Sequence, residues 1–325
     1  MTEPKPFVRP LWQRLLLRRL KFLAWLLALL VVGVGGSYLL APQWLVQAGL
    51  ARQALASHVQ KQSVRVGDID WSYYEGGEGP TIVLLHGFGL DKSAWLDVAR
   101  LLTPHFHVLI PDLPGWGDTP ATGERSMLAQ ASALDGFMRA TGVRAAVVVG
   151  HGTGGAVAAV YAAEYPARVR ELALLDAYGL DTTHSAFDSP TAAARAFVYD
   201  DRSELQRADA LLWAKPPVLR GRLQDVRIAR NRRDRAFIES ALERLRQRPE
   251  QRVVQDRLAR LSMPVLGLWC HDDPVIDRSA LDSLRNGLVN ASAISTSVIS
   301  GCHHLPMLEQ PDATAQILTG FALSH

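Results

Sequence analysis

Four apolar runs, each ending in a loop rich in glycine or proline, constrain this chain more than any other feature: "TIVLLHGFG" from Thr81, "FHVLIPDLPGWGD" from Phe106, "AAVVVG" from Ala145 and "LALLDAYG" from Leu172. Short, β-rich runs with no polar face read as strands buried on both sides, and the amphipathic stretches between them as crossover helices. One such helix is predicted from a Ser126 cap to Ala140, stopped by Thr141-Gly142. "SVRVGDIDWSYYEGG" predicts an initial strand pair turning at Gly67-Asp68. Between about Asp181 and Gln255 the strand rhythm gives way to arginine-rich helices. In "RAFIESALERLRQRPE", Phe237, Ile238, Ala241, Leu242 and Leu245 form one apolar face. Strands return in "MPVLGLWCHDD" and "AISTSVISG", and a final helix follows Pro311. The expected organisation is an α/β core of residues 63–180 and 256–325, interrupted by a helical cap at 181–255. A chain of 325 residues that is 48% hydrophobic has ample material for that core.

The amino terminus predicts location. From Phe22 to Leu40, "FLAWLLALLVVGVGGSYLL" contains no charge and is long enough to cross a hydrocarbon layer of about 30 Å. Ahead of it, residues 1–21 carry Lys5, Arg9, Arg14, Arg18, Arg19 and Lys21 against Glu3 alone. Such a bias keeps the amino terminus in the cytoplasm and sends the body to the periplasm or exterior. A cleavable signal ending near Gly35-Gly36-Ser37 is the alternative to this anchor. Trp25, Tyr38 and Trp44 fall where aromatic belts belong. Residues 41–62 read either as a juxtamembrane helix, with Trp44, Leu45, Ala48, Leu55 and Val59 at near-helical spacing, or as a plain helical linker. Dimerisation through the anchor is left open.

The corner "VVVGHGTGG" admits two readings. As G-x-G-x-x-G, Gly150, Gly152 and Gly155 would cradle a dinucleotide, with Asp176 on its ribose. As G-x-S-x-G, it is a strand-turn-helix corner with Gly152 where a nucleophilic serine stands. The surroundings favour the second. "LLHGFG" matches an H-G-x-G oxyanion loop and "DLPGWGDT" a D-x-P-G-x-G-x-S/T loop. "LWCHDDPVID" matches W-G-x-x-D-x-x-V/I with Asp273 at the acid, and "GCHHLPMLEQP" matches G-C-G-H-x-P-x-x-E-x-P with His304 at the histidine. The chain order of nucleophile position, acid and histidine is the one that corner requires.

With "AGLARQ", "LLHGFGLDKSAW", "PDLPGWGDT" and "VLRGRLQDVRIARN", the body from about Ala41 to Leu323 resembles the membrane-anchored abhydrolase-domain monoacylglycerol lipases and bacterial inner-membrane phospholipases A. The resemblance implies an α/β-hydrolase fold: a mostly parallel eight-stranded sheet with helices on both faces, a helical cap and an amino-terminal transmembrane helix. It implies a bacterial inner-membrane protein that hydrolyses acyl esters in glycerolipids or lysophospholipids, with a membrane lipid or fatty-acyl ester as its substrate or ligand. In the family's mechanism Asp273 orients His304, and the N–H groups of Phe88 and Thr153 hold the oxyanion. No cofactor, metal or nucleic acid is expected. A net charge of +3 without a reading motif gives no nucleic-acid surface. His271, Asp272, His303 and His304 suggest a metal cluster only until the motifs account for His304.

Three positions depart from the family pattern. Gly152 replaces the serine, His303 the glycine before the histidine, and Cys270 the glycine after Trp269. Gly152 removes the attacking oxygen, which leaves hydrolysis in doubt. A hydrolase whose serine has been replaced and a pseudohydrolase that binds acyl lipid or a partner without cutting it both remain open. Minor alternatives are His304–Asp273 chemistry without a covalent intermediate, and Thr153 standing in as nucleophile. Cys270 and Cys302 fall near the ends of neighbouring strands. Two buried free thiols are expected over a disulfide. The cap arginines are expected to be solvated helix faces rather than lipid-headgroup ligands.

Overall fold

The computed structural model describes residues 10–121, 123–218 and 221–324. Lys5 and Arg9 of the basic terminus, with Leu219 and Arg220 of the cap, lie outside the described residues. Eight strands form one sheet in the order β1-β2-β4-β3-β5-β6-β7-β8. They are β1 (Val59–Val66), β2 (Ile69–Gly76), β3 (Thr81–Leu85), β4 (His107–Pro111), β5 (Ala146–His151), β6 (Val169–Leu175), β7 (Val265–Cys270) and β8 (Ile294–Ile299). β1 and β2 run antiparallel, β2 meets β4 antiparallel, and every pairing from β4 to β8 is parallel. Outside the cap, the helices are α1 (Leu11–Leu40), α2 (Pro42–Ala56), α3 (Leu96–Leu102), α4 (Met127–Ala140) and α5 (Gly152–Glu164). The cap between β6 and β7 comprises α6 (Pro190–Phe197), α7 (Arg202–Leu212), α8 (Arg222–Arg233), α9 (Arg235–Leu245) and α10 (Arg248–Gln251). α11 (Ala280–Gly287), α12 (Pro306–Glu309) and α13 (Pro311–Ala322) complete the chain.

The absence of a polar face in the central strands has a direct cause. Val83, Leu85 and Val148 pack into one core with α4, α5 and α11, while Ile82, Leu84, Val147 and Val149 pack into another with α3 and α13. Alternate residues of a strand point to opposite faces, so both must be apolar when both are covered. Ser126 caps α4 by accepting a hydrogen bond from Ala129 N at 3.2 Å. The predicted apolar face of α9 is the one buried, through Ile238, Leu242 and Leu245.

Two boundaries and one pairing differ from expectation. β1 begins at Val59, inside the predicted linker. Its polar "QKQS" lies on an exposed edge strand, where solvent needs no hydrophobic alternation. The helix begins at Leu11, so Arg18, Arg19 and Lys21 lie in its amino-terminal half, and by length and composition it is long and apolar enough to cross a membrane. Finally, Cys270 and Cys302 form a disulfide with a Cα–Cα distance of 5.5 Å, which corrects the expectation of free thiols. Cys270 pairs with Ile299 across β7 and β8, and the turn at Gly301 (φ +80) brings Cys302 back beside it. That turn is what strand neighbourhood alone does not reveal.

Candidate functional site

β5 enters the corner at His151 and α5 leaves it from Gly152, whose φ of +53 lies in the left-handed region. The glycines around it are required by close approach. A Cβ at Gly150 would lie 2.3 Å from Gly154 O, and one at Gly154 would lie 2.3 Å from His86 O. Gly152 is different. A Cβ there would stand 3.7 Å from both Gly87 Cα and His304 Nε2, ordinary contact distances. The space for a side chain is intact and faces the imidazole.

His304 is buried, and its Nδ1 lies 2.8 Å from Asp273 Oδ2. The other carboxylate oxygen of Asp273 accepts hydrogen bonds from Val275 N at 2.7 Å and Ile276 N at 3.1 Å. With both oxygens engaged, the carboxylate fixes the imidazole so that Nε2 points at residue 152. Asp176, the ribose ligand of the rejected dinucleotide reading, is buried at the end of β6 and accepts a hydrogen bond from Cys270 N at 2.9 Å. Burial and the neighbouring Asp273 carboxylate push its pKa well above the usual carboxylate range. Its carboxyl lies beside that of Asp273.

Phe88 and Thr153 meet at a small cavity of about 40 Å³, which they line together with Trp116 and Phe237. Thr153 is the second residue of α5, so its N–H is one of the orphan donors of a helix amino terminus. Phe88 follows the His86-Gly87 turn and packs edge-on against Trp116 and Phe197. Beyond it a crevice of about 580 Å³ runs under the cap, with Trp116, Phe197, Leu212, Phe237 and Leu308 among its walls. Its length of apolar wall suits an acyl chain.

Sequence reasoning missed the residues that aim this constellation. The Nε2 of His151 lies 2.6 Å from the backbone carbonyl of His304 and can only donate there, which ties the corner to the histidine loop. Burial and the nearby His304 ring hold the pKa of His151 well below its usual value, so the ring is neutral. Glu309 accepts from His303 N at 2.9 Å with one oxygen and from Ala214 N at 2.7 Å with the other, joining the histidine loop to the chain after α7. His303 thus contributes its backbone here.

A latch joins cap to core through Arg230 of α8 and Asp91 of the loop after β3, 2.8 Å apart. Burial raises the Asp91 pKa, but Arg230 and Ser93 outweigh it and hold the carboxyl at about 2, against an ordinary 3.8. A folded-state pKa below the unfolded one stabilises the fold above about pH 4, and this contribution is lost as pH falls through about 2. It amounts to roughly 2 kcal/mol. Denaturant melts should therefore show Asp91→Asn less stable than the native chain by about that much at pH 6, with the gap narrowing towards pH 2.5. A gap that stays constant would mean the latch contributes nothing.

Residues 82–317 match the sequence pattern of the alpha/beta hydrolase family. The chain is 27% identical to the monoacylglycerol lipase ABHD6 of Rattus norvegicus and 28% identical to that of Homo sapiens, each over 92% of both chains. Among solved structures it is similar to a membrane phospholipase A described as a bacterial virulence factor, with a TM-score of 0.80 and 32% identity over 93% of this chain and 97% of that one. A lipase-like protein of Acinetobacter baumannii AYE superposes with a TM-score of 0.76 and 26% identity, covering 85% of this chain and 95% of that one.

Proposed function

The chain belongs to the alpha/beta hydrolase family, and from that premise we propose that it is a membrane-anchored acyl-lipid protein that keeps the family's ester-cleaving frame without its attacking oxygen. One observation carries the reading. His304 Nε2, backed by Asp273, faces a side-chain site at residue 152 that is open but filled by glycine.

An ester entering the crevice would place its acyl chain along Phe197, Leu212 and Leu308, with its carbonyl between the N–H groups of Phe88 and Thr153. In the serine mechanism the hydroxyl at this corner gives its proton to the histidine Nε2 as it bonds to the carbonyl carbon. The imidazolium then protonates the leaving alcohol, and water repeats the sequence on the acyl-enzyme. Gly152 offers no oxygen, so the first bond cannot form. Oxyanion donors and binding alone leave about 10³ to 10⁴ over water. The chain as written therefore binds acyl lipid and hydrolyses it poorly. An esterase assay on short and medium acyl esters tests this, and rapid native turnover with an acyl-enzyme burst would overturn it.

The anchoring half of the proposal rests on α1, on the basic residues before and within it, and on the disulfide, since disulfides persist in oxidising compartments. Alkaline phosphatase fused after His325 in a bacterial host is expected to be active. An inactive fusion with a cytoplasmic body would remove the anchor orientation.

A further inference from the structure

The two edges of the sheet are built differently. β1, at one edge, carries Lys61 and Arg65, both exposed, and charges of this kind keep edge strands from pairing with one another. β8, at the other edge, carries none. From Asn290 to Gly301, "NASAISTSVISG", there is neither a charge nor a proline, and Ile294 and Val298 are exposed at 40% and 44%. An uncharged edge with exposed β-branched residues is a ready template for another strand. Among the described residues no strand pairs with its outer side, and α1 and α2 lead into β1 at the far edge of the sheet.

The ladder with β7 fixes which backbone groups are free. The carbonyls of Ala293 and Ile299 accept hydrogen bonds from Val265 N at 2.9 Å and His271 N at 2.8 Å, so these residues face β7. Backbone groups alternate along a strand, so Ser295 and Ser297 face β7 as well, while the N–H and C=O of Ile294, Thr296 and Val298 point outwards. The segment is self-complementary about Thr296. Laid antiparallel against a second copy of itself, Thr296 meets Thr296, Ile294 meets Val298 and Ser295 meets Ser297. In that register every outward N–H and C=O of the three residues enters a hydrogen-bonded pair, and each exposed apolar side chain covers another. No charge on the strand is trapped. The nearest one, Arg285 of α11, donates to Thr296 Oγ1 at 3.3 Å and is answered by Asp282 of its own helix at 3.3 Å.

We propose that β8 is the interface between two copies of this chain, paired antiparallel across a two-fold axis at Thr296, so that the two sheets continue as one. A two-fold contact sets the same patch against itself, which needs a strand that reads alike in both directions, and "ISTSV" does. A strand of another protein that carried charges would meet no counter-charge on β8. The pairing also bears on the site. β8 runs into the turn at Gly301 and the loop of Cys302 and His304, so a second copy braces the strand from which the histidine is held. The inference stands whether or not the crevice binds acyl lipid.

The test uses the full chain, in the membranes of a bacterial host and purified in non-ionic detergent. Both native cysteines are joined in the disulfide, so Thr296→Cys adds a lone thiol. Residues directly opposite in a hydrogen-bonded antiparallel pair have Cα atoms about 5.5 Å apart, within the reach of a disulfide. Thr296→Cys should therefore crosslink into a dimer on mild oxidation in both settings. Ile294→Cys should not, because the register sets it roughly 13 Å along the strand from its own copy. Val298→Lys, at an exposed position, should convert the dimer seen by light scattering into a folded monomer with unchanged far-ultraviolet circular dichroism. Val298→Thr keeps the branched shape without a charge and should keep the dimer, so the comparison stays readable if the lysine variant folds poorly. A native chain that is monomeric in both settings overturns the proposal, as does equal crosslinking through residues 294 and 296. A dimer that survives Val298→Lys and gives no crosslink at residue 296 overturns it in favour of another face, such as the apolar helix. Crosslinking of residue 296 to a different protein overturns the second copy as the partner.

Discussion

Gly152→Ser is expected to raise ester hydrolysis by about 10⁴-fold or more, because removing a triad serine typically costs on the order of 10⁶ in kcat. The acceptor is already aimed. A Cβ at this position stands 3.7 Å from His304 Nε2, and a hydroxyl one bond further falls within hydrogen-bond range of that nitrogen. Sterically the change is easy, but conformationally it is not. The φ of +53 suits glycine, and a side chain there costs about 1 to 3 kcal/mol of stability. Gly152→Ala separates the two effects, since it should lose the same stability and gain no activity. Release of p-nitrophenol from medium-chain esters, with a pre-steady-state burst, reports the acyl-enzyme. His304→Ala in the serine background should remove the gain. A serine variant that folds and yet shows neither burst nor turnover would mean that the crevice does not deliver an ester to the corner.

Much of this geometry was legible in the sequence because strand-end motifs are local. "LLHGFG", "GHGTG", "CHDDPVID" and "CHHLP" each place one element of the site at the end of a strand, and parallel strands bring those ends together without further information. The lateral ties were not legible. The hydrogen bond between His151 and the His304 carbonyl spans 153 residues, and the latch between Asp91 and Arg230 spans 139. Neither pairing leaves a periodicity to read. β1 was hidden for another reason: an exposed edge strand carries little hydrophobic alternation, so "QKQS" looks like linker. The cap arginines divided. Most of them, such as Arg202 and Arg227, are spent on acids, as solvated or paired faces should be, while Arg222 faces a cavity.

Opening the disulfide should affect both stability and chemistry, because its position joins the two loops that carry the acid and the base. Cys270 precedes Asp273 by three residues and Cys302 precedes His304 by two, and the bond closes a sequence separation of 32. Chain entropy alone assigns a crosslink of that span about 3 to 4 kcal/mol. Cys270→Ser with Cys302→Ser should therefore lower Tm by roughly 5 to 15 °C, at about 2 to 4 °C per kcal/mol for a body of this size. The chemical effect is separate. Cys270 N also holds the buried Asp176 carboxyl beside Asp273, so release of the bond lets the acid shift relative to the imidazole. A misplacement of about 1 Å at a reacting group costs on the order of 10²-fold. In the Gly152→Ser background, the double cysteine variant should lose 10-fold or more in kcat with KM nearly unchanged, at temperatures well below its melting. Were the bond only a brace for the fold, kcat at those temperatures would match that of the disulfide-bonded parent, and the loss would surface only as the protein begins to unfold.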